Sequence, residues 1–278
     1  MERKEMDMLN GKLSGKLILF AIPLAFSSIL QQLFNSADVA VVGRFAGDTA
    51  LAAVGSCVAL VGIFVNLIVG LSVGPNAALA TLIGQKKREE ISGMLHTVIT
   101  FGLILGVVLM GIGLLTARVV LELSGTPESV MNEALLYIRI YFLGVIGNLI
   151  YNMGAGILRA VGDSKRPLYF LIASCLTNIV LDIAFVIGLH MGVAGAALAT
   201  ILSQALSAVL VLWVLMRTKD MHRLELRKIR FDGRMFRRII RIGLPAGLQS
   251  VMYTSSNILI QSSVNALGTD TVAAWTAY

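Results

Sequence analysis

Two aspartates, Asp38 and Asp182, are the only acidic side chains that lie well inside long apolar stretches of this sequence. A carboxylate is costly in a membrane interior, so its presence there predicts an ion or proton site. Because desolvation disfavours the charged form, such a group can exchange a proton for a cation. Two carboxylates could alternatively hold sodium, a hard cation that prefers oxygen ligands. The residue types leave proton and sodium equally open.

The positions of neighbouring polar residues predict that the two aspartates share one site. Each lies near the outer end of its stretch, about 6 to 10 Å below the membrane surface at 1.5 Å of rise per residue. Asn178 precedes Asp182 by one helical turn and shares its face, and Thr200 enters the next stretch to the same depth. The sequence therefore predicts one cluster of oxygen ligands: Asp38, Asn178, Asp182 and Thr200.

A polar stripe on the first stretch leads to Asp38. Gln31 and Asn35 precede it at spacings that keep all three residues on one helix face. Such a stripe is expected to face a cavity or a neighbouring helix, and not lipid. Asparagine and glutamine also form hydrogen bonds between membrane helices. Both interpretations stay open for four residues: Gln31, Asn35, Asn148 and Asn152.

The elements that must position these residues are membrane-spanning helices. The chain is 56% hydrophobic and only 14% charged, which lies outside the range of soluble domains. A bilayer core requires about 20 apolar residues per helix, and seven stretches meet that length: 17–42, 54–83, 94–117, 134–158, 168–189, 193–216 and 239–267. The sequence therefore predicts an all-α integral membrane protein whose surroundings are the lipid bilayer.

The distribution of basic residues predicts the orientation. Of the 23 Lys and Arg, only Arg44, Arg118 and Arg139 lie on one side of the membrane, and all others lie at the N-terminus or in alternate connections. The positive-inside rule therefore predicts a cytoplasmic N-terminus in a cell inner (plasma) membrane. The formal charge of +7 reflects this topology, and no nucleic-acid partner is expected.

The histidines and cysteines form no catalytic or metal-binding pattern. His96, His190 and His222 lie near the ends of stretches or in a linker, without HExxH spacing, and Cys57 and Cys175 stand singly. We therefore expect no enzyme activity and no cofactor. No metal is expected beyond sodium at the aspartate cluster.

The seventh stretch repeats the first at an offset of 222 residues, so that Pro23 aligns with Pro245 and Asn35 with Asn257. A six-span repeat of this length predicts a twelve-span protein of two parallel lobes, as in alternating-access transporters. The chain is then a fragment with three parts: an N-terminal six-helix lobe at 1–216, a basic cytoplasmic linker at 217–238, and the truncated start of the C-terminal lobe, with the beginning of an eighth span, at 239–278. The linker suits a surface helix on anionic lipid, and topology control explains its charge equally well.

Proline and glycine mark two further features of the apolar stretches. Pro23 lies fifteen residues before Asp38 and is either a hinge that responds to the aspartate or a static kink. Gly70 and Gly74 are spaced for close packing against a second helix.

These residues resemble the multidrug and toxic compound extrusion (MATE) family, in its DinF-like branch, over essentially the whole chain. The similar features are Pro23 with Asp38, the segment Arg-Ala-Val-Gly-Asp-Ser-Lys-Arg-Pro at 159–167, and Asn178-x-x-x-Asp182 followed by Thr200. The resemblance implies a secondary active exporter of cationic or amphipathic compounds, driven by inward H⁺ or Na⁺ and monomeric when complete.

The resemblance also implies roles for particular residues. Asp38, Asn178, Asp182 and Thr200 would form the cation-coupling site, with bending at Pro23. Five residues would line the substrate cavity: Gln31, Asn35, Tyr141, Asn148 and Asn152. In the alignment of the two repeats, Ile260 takes the position of Asp38. Ion coupling would therefore belong to the first lobe, and the missing spans would supply the other cavity wall.

Two other functions compete with this interpretation. A flippase for lipid-linked oligosaccharides would need basic residues in its cavity to accept pyrophosphate, whereas the buried charges here are acidic. An intramembrane aspartyl protease also uses two buried carboxylates. Its Tyr-Asp and Gly-x-Gly-Asp motifs are absent, because the aspartates lie in Ser-Ala-Asp38-Val and Val-Leu-Asp182-Ile.

Overall fold

The computed structural model describes residues 13–218, 220–225, 227 and 231–266, which form seven long α-helices. A π-helical stretch, Ile183–Gly188, directly continues the fifth. The predicted spans coincide with helices as far as the chain is described, except that the fifth, 168–189, ends one residue beyond the π-helical stretch. This agreement confirms the all-α prediction. The bounds are α1 Leu13–Phe45, α2 Asp48–Gly84, α3 Arg88–Leu123, α4 Glu128–Ala160, α5 Lys165–Asp182, α6 Gly192–Arg217 and α7 Gly233–Ala266.

Six of these helices, α1 to α6, are long and apolar enough to cross a membrane, so the protein is a multi-pass membrane protein. Helix α7 covers the seventh predicted span through residue 266 but is not among the six. Its interior carries several polar residues, including Gln249 and Asn257, which lower its hydropathy. The predicted start of an eighth span lies outside the described residues.

Helix α4 lies at the centre of the bundle and packs against α2, α3 and α6, while α1 packs mainly on α5. Phe142 of α4 is fully buried and meets Phe64 of α2 edge to face, with ring centroids 4.8 Å apart. Gly144 lets α6 approach closely, because a Cβ atom there would lie 2.7 Å from the Cβ atom of Ile201. The outer faces expose large apolar side chains such as Leu115 and Val107 of α3, as expected where lipid is the solvent.

Helices α2 and α7 cross at their glycines, as the spacing of Gly70 and Gly74 predicts. A Cβ atom added to Gly70 would lie 2.6 Å from the Cα atom of Gly247, and one added to Gly74 would lie 2.7 Å from the Cα atom of Gly243. These are backbone contacts, which no change of side-chain rotamer can relieve. Small residues on both helices are therefore required for this crossing.

The linker between α6 and α7 packs against the end of the bundle at which α2, α4 and α6 end and α3 and α5 begin. Most Lys and Arg of the sequence lie at this end, which we call the basic end. The described residues of 218–232, between the end of α6 and the start of α7, contain no α-helix, so they do not form the surface helix that the charge of the linker suits. The backbone N–H of Glu225 donates to Nε2 of the buried His96 at 3.1 Å. Leu224 is also buried, and its N–H donates to the carbonyl oxygen of Leu215 at 2.9 Å. These contacts place residues 220–225 against the ends of α3 and α6.

Docking of the linker is expected to weaken at acid pH because it buries His222. Burial lowers the pKa of His222 below its ordinary value of 6.5, and Asp220, Arg166 and Asp163 are the charged groups around it. The undocked imidazole therefore binds a proton at higher pH than the docked one, so docking is fully favoured above that value and weakens as the pH falls through it. We expect lower hydrogen-exchange protection of residues 220–225 at about pH 5.5 than at about pH 7.5.

Two substitutions separate this effect from a general response to acid. His222→Asn should remove most of the change in protection between the two pH values. His190→Asn is the matched control, because His190 is exposed, and it should leave the change intact. Equal protection of the wild-type linker at both pH values would contradict the prediction.

Candidate ion-coupling site and cavity

Three helices bring the predicted oxygen ligands together. Asp38 lies seven residues before the end of α1, Asp182 is the last residue of α5, and Thr200 lies on α6. The exposed fractions of these residues are 6%, 0% and 3%, and Asn178 is 0% exposed. Because α1 packs on α5 and α5 packs on α6, side chains far apart in the sequence meet in one buried cluster.

A hydrogen bond joins α1 to α6 in this cluster. The hydroxyl of Thr200 donates to Oδ2 of Asp38 at 2.8 Å, and the same hydroxyl lies 3.0 Å from the carbonyl oxygen of Ala196. A hydroxyl has only one proton to donate. The hydroxyl can therefore donate to a charged Asp38, or rotate and donate to the carbonyl oxygen of Ala196 when Asp38 is neutral.

Several buried polar atoms of the cluster make no hydrogen bond. They are Oδ1 of Asp38, both amide atoms of Asn178 and both carboxylate oxygens of Asp182. Asn178 and Asp182 lie near enough to Asp38 to interact with its carboxyl group. Buried polar atoms normally have partners, and the oxygens among these atoms are of the ligand type that the predicted cation site requires. Within the described residues no group of three His, Cys, Asp or Glu side chains could hold a metal ion.

The helical backbone changes form directly after Asp182. Residues Ile183–Gly188 are π-helical, and the N–H of Leu189 donates to the carbonyl oxygen of Ala184, five residues earlier, at 2.9 Å. Single π-helical turns occur frequently at functional sites. The sequence analysis missed this feature, since the stretch contains neither proline nor an internal glycine that could have signalled it.

A cavity of about 380 Å³ opens beside Asp38 and is lined by α1, α2, α4, α5 and α6. Four of the five predicted cavity residues line it: Gln31, Tyr141, Asn148 and Asn152. The side chain of the fifth, Asn35, lies outside what the structure describes. Asn152 also donates from Nδ2 to Oδ1 of Asn148 at 2.8 Å, so these two amides pair with each other as well as face the cavity.

A second cavity, of about 540 Å³, lies between α1 and α2. Gln32, Asp38, Asn66 and Tyr137 line both cavities. Asp38 therefore lies where the buried ligand cluster and the two cavities meet.

The family model MatE matches residues 23–184, which include Pro23, Asp38, Asn178 and Asp182. This match covers more than half of the 278 residues. The chain belongs to the MatE family.

Similar proteins agree with the MatE assignment. The chain is 33% identical over 266 residues to the probable multidrug resistance protein YoeA of Bacillus subtilis, covering 92% of this chain and 57% of YoeA. It is 25% identical over 234 residues to the DNA damage-inducible protein F of Escherichia coli, covering 84% of this chain and 51% of that protein. The second relative confirms the resemblance to the DinF-like branch.

A solved MATE structure in the bent conformation shares the fold of this MatE chain. The TM-score is 0.89 at 29% identity, and the superposition covers 98% of this chain and 62% of that one. The chain thus spans less than two thirds of the length of the proteins it matches, in agreement with the prediction of a fragment of a larger two-lobe transporter.

Pro23 of this MatE chain lies inside α1, which continues without interruption on both sides. Pro23 is buried, and the hydroxyl of Ser27 donates to its carbonyl oxygen at 2.8 Å. Proline removes a backbone donor from the helix, so the proline turn has fewer internal hydrogen bonds than the rest of α1. The hinge role of Pro23 stays a prediction.

The sequence analysis of this MatE chain missed several residues that line the cavity. Tyr137 precedes Tyr141 by one helical turn, and the two rings stack with centroids 6.4 Å apart. Gln204 follows Thr200 by one turn. Both residues could have been found by extending the four-residue spacing that linked Asn178 to Asp182. The other missed polar residues are Ser28, Gln32, Asn66, Tyr151, Ser174 and Ser207.

Proposed function

We propose that this chain is the ion-coupling part of a secondary active multidrug efflux transporter. The transporter exports cationic or amphipathic organic compounds by antiport with H⁺ or Na⁺. The observation that carries the proposal is the position of Asp38, which contacts Thr200 in the buried cluster and also lines the cavities. A single group within reach of two ligands couples their binding, because each ligand changes the binding free energy of the other.

The antiport follows from competition for the charge of Asp38. An ionised Asp38 attracts an organic cation in the cavity, and this attraction is lost when the carboxylate binds a proton or sodium. The Thr200 hydroxyl assists both states, since it donates to Asp38 in one and turns to Ala196 in the other. Two ligands that require the same charge exclude each other, as an antiporter requires.

The cluster suits either coupling ion, and the proposal retains both. Sodium would be held by the carboxylates of Asp38 and Asp182 with the amide oxygen of Asn178. Five polar side-chain atoms of these three residues make no hydrogen bond. A proton would be shared between the two carboxylates. Binding of either ion is favourable, because the bound ion neutralises a carboxylate charge that the apolar surroundings disfavour.

The cavity supports cationic and aromatic substrates. Its volume of about 380 Å³ falls within the range of about 300–1,000 Å³ that is usual for small-molecule sites. Tyr137, Tyr141 and Tyr151 line it, and aromatic faces attract organic cations. No Lys, Arg or His occurs among the described lining residues, which disfavours a flippase for anionic pyrophosphate substrates. The remaining wall would come from the portion of the relatives that this chain does not span.

The membrane context completes the proposal. Under the positive-inside rule the N-terminus is cytoplasmic and the protein resides in the cell inner membrane. Residues 1–216 form the N-terminal lobe, 217–238 the linker and 239–278 the start of the second lobe. We propose that the complete protein acts as a monomer, as a transporter and not an enzyme.

Efflux driven by separate ion gradients tests this proposal. The chain, extended with the portion of YoeA that it does not span, is reconstituted into vesicles loaded with a fluorescent organic cation. We expect efflux under either an inward proton gradient or an inward sodium gradient, and loss of efflux when that gradient is collapsed. Efflux under neither gradient, from extended protein that is monodisperse in detergent, would contradict the proposal.

A further inference from the structure

We infer that the basic end of the bundle carries a binding surface for anionic phospholipid headgroups, formed by the end of α6 and the first residues of the linker. At its centre the guanidinium carbon of Arg217 lies 4.7 Å from the centroid of the Trp213 ring. Trp213 is 48% exposed, and tryptophan is typical of the membrane–water interface. Stacking on the ring holds the charge of Arg217 at the level where α6 leaves the apolar region.

An exposed apolar stripe on α6 leads to this pair. Leu202, Val209 and Trp213 are 46%, 62% and 48% exposed, and their spacings of seven and four residues keep them on one helix face. Arg217 follows Trp213 by one more turn on the same face. An acyl chain that lies along this stripe therefore brings its headgroup beside Arg217.

The docked linker supplies a second arginine at the same end of the bundle. The hydrogen bond from the N–H of Leu224 to the carbonyl oxygen of Leu215 turns the chain back beside the end of α6. The preceding residue, Arg223, is exposed there, and consecutive Cα atoms are only about 3.8 Å apart. Met221, two residues before Arg223, is 42% exposed and adds apolar surface to this segment.

The nearby acidic side chains are engaged in local hydrogen bonds. Oδ2 of Asp220 accepts from the hydroxyl of Thr218 at 3.0 Å, and Oδ1 of Asp232 accepts from the backbone N–H of Arg234 at 2.8 Å. Neither Arg217 nor Arg223 belongs to an ion pair of the described residues. Both arginine charges are therefore available to an anionic headgroup, and each arginine near an anionic membrane surface contributes a factor of about five in affinity.

Quenching of Trp213 by brominated lipids tests the inference in the 278-residue chain. Trp275→Phe leaves Trp213 as the single tryptophan of the two present. Vesicles contain equal fractions of brominated phosphatidylglycerol or brominated phosphatidylcholine. We expect stronger quenching by the anionic lipid, and R217Q/R223Q should reduce the preference by about fivefold or more. The charge-conserving R217K/R223K should retain most of it.

A matched control separates a localised surface from the general charge of this end. K86Q/K165Q removes two exposed charges of the same end, one in the turn after α2 and one at the start of α5, and should leave the preference unchanged. Equal quenching of the parent protein by both lipids would overturn the inference. It would also be overturned if R217Q/R223Q kept the preference, or if K86Q/K165Q lowered it as much. The readout does not involve transport, so its outcome is independent of the proposed function.

Discussion

Asp38→Asn is expected to reduce ion-driven efflux by about 5- to 150-fold, the range that typical coupling free energies between two ligands span. Asparagine keeps the size of aspartate and can still pair with the Thr200 hydroxyl, which donates to Oδ2 of Asp38 at 2.8 Å. It cannot bind a proton or carry the charge that sodium and an organic cation require. Without this charge the coupling ion would bind the conformations of the transport cycle with equal affinity, and it could not shift their populations.

Efflux from vesicles carrying the extended chain measures this loss. Asp182→Asn should give a loss of similar size, because both carboxylates belong to one buried cluster. The matched control is Asp48→Asn, an exposed aspartate at the start of α2, which should leave efflux unchanged. If Asp38→Asn and Asp182→Asn both match the wild type, the two carboxylates are not the coupling site.

Thr200 provides a graded comparison within the same site. Thr200→Val removes the hydroxyl that donates to Asp38 and should weaken sodium binding by about tenfold or more, since a hydrogen bond to a charged group contributes about 1.5–3 kcal/mol. Proton binding should instead strengthen, because the hydroxyl stabilises the charged form of the carboxylate. Thr200→Ser keeps the hydroxyl and should retain most of the affinity. The 278-residue chain suffices for this measurement, because an ion that binds the folded state raises its thermal stability. Equal stabilisation of Thr200→Val and wild type would exclude Thr200 as a contributor.

Gly70→Val is expected to lower the melting temperature of the chain by about 2 to 10 °C, as follows from an overpacking cost of about 1–3 kcal/mol. A Cβ atom at Gly70 would lie 2.6 Å from the Cα atom of Gly247 and 2.8 Å from the carbonyl oxygen of Ala246. Because both atoms belong to the backbone, α7 must move away from α2 as a whole. This crossing joins the first lobe to the first helix after the linker.

Thermal unfolding in detergent measures the effect of Gly70→Val. Gly55→Val is the matched control in the same helix, since a Cβ atom at Gly55 meets nothing within 4 Å. The control should unfold at the wild-type temperature. If Gly70→Val also unfolds there, the glycine crossing is not what holds α7 against α2.

The depth of the two aspartates could be predicted because hydropathy locates each span and the helical rise converts residue number into distance. The structure places the Thr200 hydroxyl 2.8 Å from Oδ2 of Asp38, which agrees with the prediction that these residues lie at one level of the bundle. The coupling role of these residues stays a prediction. Depth alone does not specify rotation about a helix axis, which explains why Tyr137 and Gln204 were missed while their neighbours at four-residue spacing were named.

The linker could be predicted only in part. Its basic composition indicated a surface segment, and a helix on lipid was one interpretation. The structure instead buries His222 and Leu224 against the bundle and leaves Arg223 exposed. A pattern of charges cannot indicate this, because the buried residues are one histidine and one leucine that alternate with exposed Met221 and Arg223 in a segment without helical periodicity.

The sequence by itself determined the helices, their membrane-spanning character and the common level of Asp38 and Asp182 along the bundle, because these properties depend on residues close together along the chain. Only the tertiary structure decided which helix faces meet, such as Gly70 against Gly247 and Asp38 against Thr200. Helix rotation and crossing depend on the fit of side chains far apart in sequence. Both the helix faces that contact lipid and those that contact other helices are apolar, so hydropathy alone does not distinguish them.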